Sequence, residues 1–335
     1  MKNKKGKVHN YNMNVRRNFE RQQRGRRKKV VALVGLVIVL IIGGFGIYSA
    51  VSSNGENKEA TASQSSSSQK PGQAENNNNS VNTEASKLDN SGYIPLKDDK
   101  NADDAKVVAE RTSGLLKGKL HYPVRDDGKK VVYLTFDDGP STTNTPEVLD
   151  ILKKYDVKAT FFVMGKSLAD HPGAKELLKR EASEGHAIAN HSYSHNYQHL
   201  YPNRVININN FMEEYNKTNA LMKEILGKDF STRTVRFPGG YWSWNGRENA
   251  RPVLDKNGIE IVDWDALNGD AEGSGKSTPE QLVAKTKKTV EALGPNADSV
   301  VFLMHDTYGK ENTVKALPEI IEYFKSKGFE FRTMK

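Results

Sequence analysis

The chain has 335 residues, no cysteine, and 50 Lys and Arg against 41 Asp and Glu, a formal net charge of +9. The excess is local: the first 29 residues hold twelve Lys or Arg against the single acid Glu20, a net +11, which leaves −2 for everything after them. A nucleic-acid partner argued from the basic pI is therefore excluded, disulfides are excluded, and any metal site must be built from His and carboxylate.

Residues 30–48 (VVALVGLVIVLIIGGFGIY) carry no charge, and nineteen residues match the roughly 20 needed to cross a bilayer as a helix. Arg24, Arg26, Arg27, Lys28 and Lys29 abut their N-terminal end. That placement predicts a single-pass anchor with residues 1–29 in the cytoplasm and the rest extracytoplasmic. The alternative is a cleaved signal peptide and secretion, but the run exceeds the ~7–15 residues of an ordinary signal core.

Residues 49–91 read as a disordered linker. From Ser52 to Asn90 they are mostly Ser, Asn, Gln, Thr and Ala, with SSSS at 65–68, NNNN at 76–79, and only Val81 and Leu88 as large aliphatics. That is too little apolar surface to offset the entropy of ordering, and a flexible coil of this length reaches roughly 35 Å. Residues 92–128 form a lead-in, with a short helix expected in AKVVAERTSGLL and an extended stretch in LHYPV.

From 129 to 335, strand-like and helix-like patterns alternate. VVYLTF precedes the helix TPEVLDILKKYD, and KATFFVMG precedes AKELLKREASEG. HAIANH, TVRF, IEIVDW, SVVFLMH and FEFRTM read as further strands, with helices between them. Repeated β–α units with apolar, β-branched strands predict a parallel sheet with helices outside. About seven such units favour a closed or nearly closed barrel over an open doubly wound sheet. Asp137, Asp138, His191, Arg236, Asp265 and His305 all fall at or just beyond the C-terminal ends of predicted strands. That is where α/β barrels collect catalytic groups.

The adjacent acids of TFDDG are costly at the end of an apolar strand unless both charges are used. His191 and His195, at i and i+4, would lie on one face of a helical turn and close on one ion. One Asp and two His leave positions for water and substrate, the pattern of an open hydrolytic metal site. His186 and His199 lie nearby, with His199 expected one turn out. His305 ends an apolar strand and suits acid–base work. Asp265 is a candidate to keep it protonated, and Asp263 and Asp270 compete for that role. Arg236 would be a buried cation whose partner could be Asp137. Gly239 and Gly240 permit close backbone approach, and Tyr241, Trp242, Trp244 and Trp264 suggest an exposed platform for sugar rings.

Together TFDDG (135–139), HSYSH (191–195), RFP (236–238), DWDALNGD (263–270) and LMH (303–305) resemble, in order, the motifs of the polysaccharide deacetylase (NodB-homology) family, carbohydrate esterase family 4. The resemblance covers about residues 129–335. It implies an α/β fold, a distorted (β/α)7-type barrel, with a divalent metal held by Asp138, His191 and His195. Zinc is the usual ion, with Co2+, Mn2+ and Ni2+ as alternatives. It further implies Asp137 as base, His305 as acid, Asp265 tuning that acid and Arg236 orienting the base. Gly239, Tyr241, Trp242, Trp264 and Leu303 are expected at the substrate rim. In two places the chain departs from the family pattern. Gly239 stands where the third motif usually has tyrosine, and Ala271 stands where an aromatic usually follows Asp270. The implied reaction is removal of N-acetyl groups from a cell-wall glycan, peptidoglycan N-acetylglucosamine first, because a tethered extracytoplasmic domain meets the wall first. Alternatives are a deacetylase of poly-N-acetylglucosamine, chitin oligomers or O-acetylated xylan, and a non-catalytic glycan-binding protein.

Overall fold

A computed structural model describes residues 88–273 and 277–335. The expected basic tail 1–29, the membrane helix 30–48 and nearly all of the 49–91 linker lie outside the described residues. Among the described residues, no helix is long and apolar enough to cross a membrane.

The described chain begins with a short strand β1 (Ala102–Asp103) and helix α1 (Ala105–Leu116). It then alternates through β2 (Val131–Asp137), α2 (Asn144–Lys154), β3 (Thr160–Val163), α3 (Gly165–Asp170), α4 (Pro172–Ser183), β4 (Ala187–Asn190) and α5 (Tyr197–Leu200). Next come α6 (Ile208–Leu226), β5 (Thr234–Val235), α7 (Arg247–Lys256), β6 (Glu260–Ile261) and β7 (Ala266–Leu267). The chain ends in α8 (Pro279–Glu291), β8 (Ser299–His305), α9 (Glu311–Ser326), β9 (Glu330–Phe331) and β10 (Thr333–Met334). Local signals set several helix starts. Thr278 and Gln281 form a reciprocal cap on α8 with Pro279 in its first turn, and Asn207 accepts the Asn210 N–H at the start of α6.

The main sheet is parallel throughout, in the order β6-β5-β4-β3-β2-β8-β7, with β9 laid beside the start of β2. It curls but does not close. Among the described residues β6 pairs only with β5, and β7 only with β8. The expected near-closed barrel is thus open on one side, because β5, β6 and β7 are two residues each and end before a β6–β7 ladder can form.

Every residue of β2 is buried, and its side chains divide between two cores. Val132, Leu134 and Phe136 meet the outer helices, whereas Val131 and Tyr133 point into the barrel. The inner core holds Ala105, Val108 and Ala109 of α1 against Val131, Tyr133, Phe162, Ala189, Val262 and Val301. Helix α1 packs on β6 and β8 and fills the barrel's open side. Tyr93 accepts the Ile188 N–H at 3.0 Å and donates to the Ile188 carbonyl at 3.2 Å. It completes β4 where the short β5 leaves those groups unpaired. Residues 92–128, expected only to lead into the domain, therefore supply part of its core.

Candidate active site

The polar cluster gathers at the C-terminal ends of β2, β4 and β8. Asp137 is the last residue of β2, and Asp138 follows in the left-handed region, φ 70°. That turn lets consecutive carboxylates face one cavity, where alternation along a strand would send them apart. Gly139 comes next because a Cβ there would strike the Asp306 carboxyl.

His191 directly follows β4. Its Nδ1 lies 2.8 Å from the Arg236 carbonyl, which only accepts, so Nδ1 donates and Nε2 turns its lone pair inward. Asp138 Oδ1 lies 3.3 Å from His191 Nε2 and 3.5 Å from His195 Nε2. The two histidines do not share a helical turn. They are joined by a loop in which Ser192 (φ 65°) and His195 (φ 52°) are both left-handed. Glu214 of α6 holds this loop: its buried carboxylate accepts the Tyr193 N–H at 3.1 Å, the Ser194 N–H at 2.9 Å and the Ser194 hydroxyl. Glu214 escaped the sequence reading. An acid on the inward face of an amphipathic helix was its only signal.

Asp138, His191 and His195 are the one metal-competent group of three among the described residues, their ligand atoms within 4.8 Å of one another. Asp138 Oδ1 is shielded from solvent and has no hydrogen-bond partner. A buried carboxylate oxygen between two imidazole nitrogens is what a divalent cation would satisfy. Burial works against ionised Asp138, yet His195 and His191 hold it well below the usual carboxylate range. The donor set of one carboxylate and two imidazoles fits zinc and its neighbours in the first transition row.

Arg236 is wholly buried, with its guanidinium 4.0 Å from the centre of the Phe162 ring. Its Nη1 donates to Asp137 Oδ1 at 2.7 Å and to Thr135 Oγ1, its Nε to the Val262 carbonyl and its Nη2 to the Asp263 carbonyl. Asp137 keeps Oδ2 on the histidine side, 3.8 Å from His191 Nε2.

His305 is the last residue of β8, its Nε2 4.0 Å from Asp138 Oδ2. Its partner is Asp270 and not Asp265. Asp270 Oδ1 lies 2.7 Å from His305 Nδ1, and Asp270 Oδ2 accepts from the His305 N–H and from Thr313. Burial alone would depress the imidazolium, but Asp270, helped by Asp138 and Asp137, raises it to about 9. The register explains why Asp265 fails. Ala266 is level with Phe302, so Asp265 sits level with Val301, whose N–H it accepts at 2.9 Å. It lies four residues below His305, or roughly 13 Å, and burial lifts its carboxyl to about 7.

The remaining residues divide. Leu303 lines the inner face of β8 beside the cluster, and Trp264 packs half-buried against the inner core and over Gly240. Trp242 is partly buried against the second core. Tyr241, expected at the rim, is buried with its hydroxyl donated to the Arg247 carbonyl, and Trp244 is likewise core. Their polar atoms find partners inside, so the aromatic segment is mostly a second core and only partly a platform. Gly239 has φ 75°, and a Cβ there would sit 3.0 Å from Tyr197 Oη. Tyr197 stands 5.0 Å ring to ring from His195, so it walls the space beside Gly239. His199 faces Glu214 away from the cluster, and burial holds His186 down at about 3 in the outer core, as a neutral ring.

A family model for polysaccharide deacetylases matches residues 124–262. A peptidoglycan-N-acetylglucosamine deacetylase of Bacillus cereus is 35% identical over 212 residues, which cover 62% of this chain and 71% of the relative. A bifunctional xylanase/deacetylase of Pseudobutyrivibrio xylanivorans is 31% identical over 62% of this chain but only 30% of its own length. Among solved structures, a Streptococcus mutans CE4 esterase superposes with a TM-score of 0.63 at 34% identity, covering 73% of this chain and 99% of that one.

Proposed function

Since the chain belongs to the polysaccharide deacetylase family, carbohydrate esterase family 4, we propose that it hydrolyses the N-acetyl group of N-acetylglucosamine in peptidoglycan, in a metal-dependent reaction. The observation that carries this reading is the unpartnered Asp138 Oδ1 facing His191 and His195, with Asp137 and His305 on either side. Asp138, His191 and His195 would hold a divalent cation, zinc first, which when bound would polarise the acetyl carbonyl and acidify a water.

Asp137, fixed by Arg236 through one oxygen, takes the proton of the attacking water with the other. The Gly239 N–H, which no hydrogen bond engages among the described residues, is the backbone donor for the developing oxyanion. His305, an imidazolium at neutral pH, gives its Nε2 proton to the leaving nitrogen. Water and amide thus become acetate and a free amino sugar. The charge-free run 30–48, read as a membrane anchor, would place the domain where wall glycan is the nearest substrate.

Acetate release from purified peptidoglycan by the full-length chain, metal-stripped and then given zinc, tests the proposal with Asp138→Ala alongside. Zinc-dependent acetate absent from the variant is expected, and none from wall glycan under any metal sinks it. The likeness to a xylanase-linked deacetylase favours O-acetylated polysaccharide as a second reading, and acetylated xylan in the same assay separates the two.

A further inference from the structure

We infer that Lys117, Trp242 and Arg247 form a subsite for a carboxylate-bearing sugar next to the sugar being deacetylated. This rests on the proposed function and narrows its substrate. Trp242 lies three residues beyond Gly239, and its N–H is held at 3.3 Å by Asp263, whose carbonyl accepts from Arg236. Trp242 is partly buried, and this bond ties its backbone beside the Gly239 turn. Two cations approach that single ring: Lys117 Nζ at 5.5 Å and Arg247 Cζ at 5.1 Å from its centre.

Neither cation has a carboxylate partner among the described residues. Arg247 donates to the main-chain carbonyls of Trp242 and Trp244. By contrast Arg125, Arg180, Arg236, Arg251 and Arg332 are all ion-paired. Two cations without a carboxylate partner share one indole, and an anion bound beside them lowers their mutual repulsion. The ring takes the apolar face of a sugar, and the cations take its acid group. A neutral N-acetylglucosamine oligomer offers those cations nothing. The matching ligand is a glycan in which the acetylated sugar alternates with one carrying a carboxylate. Lys117 caps α1, upstream of the family match at 124–262, so this selectivity comes from a segment outside that match.

A wall-derived tetrasaccharide with free carboxylates and its carboxyl-methyl ester give a direct test with the full-length enzyme. Lys117 is exposed, so Lys117→Gln and Lys117→Glu should fold. For the acid form, KM is expected to rise about threefold in Lys117→Gln and about tenfold in Lys117→Glu. The kcat is expected to hold, and the ester's KM to stay put in both. Equal shifts on both substrates, or none on the acid form, overturn the subsite. A drop in Tm with unchanged KM values overturns it too, since that is the signature of a structural cation–π contact. If neither substrate releases acetate, the proposed reaction fails, and titration of tryptophan fluorescence then decides the subsite alone. Tighter binding of acid than ester, lost in Lys117→Glu, supports it. Equal or absent binding refutes it.

Discussion

His305 Nδ1 lies 2.7 Å from Asp270 Oδ1, and the same carboxylate accepts the His305 main-chain N–H through its other oxygen. The imidazole is therefore fixed in orientation and held as a cation at once. Its pKa of about 9 keeps it an acid at neutral pH. On the alkaline side, activity should fall as pH rises through that value. A cation bound at Asp138 offsets that residue's contribution and brings the limb somewhat below about 9. In Asp270→Asn the strongest support for the proton is gone and burial dominates, so the alkaline limb should move down by at least about one unit. A kcat–pH profile with an unmoved limb would refute the pairing's role.

Removal of the metal ligands should be more damaging than removal of their supports. Loss of a supporting hydrogen bond typically costs about 10–100-fold in metal affinity, so Asp138→Ala or His195→Ala should lose more than roughly a hundredfold. The wild-type chain is expected to bind one zinc ion by equilibrium dialysis, and these variants none at the same free zinc.

Glu214 makes a separate case because it touches no predicted ligand atom. Its carboxylate holds the left-handed loop that presents His195, and Glu214→Gln exchanges an acceptor oxygen for a donor facing the same N–H groups. Zinc affinity should fall about 10–100-fold, with kcat near wild type once zinc is saturating. Unchanged affinity would leave Glu214 with a packing role only.

Arg236 and Asp137 are both buried, 0% and 2% exposed, so removing one strands the other. Arg236→Leu should cost about 3–5 kcal/mol in chemical denaturation. Adding Asp137→Asn should recover part of that stability and none of the activity. An additive double mutant would show that the pair is not coupled.

Val108 of α1 is fully buried in the inner core. Val108→Ala should cost about 2 kcal/mol of unfolding free energy, although it lies outside the family match. A neutral result would restore residues 92–128 to the status of a lead-in.

The grouping of Asp138, His191 and His195 was legible because each sits in a short motif with its own chemistry, and Arg236 and His305 because they end apolar strands. Tyr197, Glu214 and the choice of Asp270 over Asp265 were not. Each acts on a residue that it meets only through packing: Tyr197 through Gly239, Glu214 through a loop that replaces the expected helical turn, and Asp270 through β7–β8 register.

The sequence by itself determined the strand–helix alternation, the apolar character of β2, and the residue types able to hold an ion and move protons. These follow from periodicity and side-chain chemistry, which are local. Only the tertiary structure decided that the barrel stays open and that α1 fills the opening. It also decided that Asp265 lies four residues too deep along β8 to reach His305. Two-residue strands, a ladder register and a left-handed loop each depend on neighbours distant in the chain, and no local pattern encodes where those neighbours will stand.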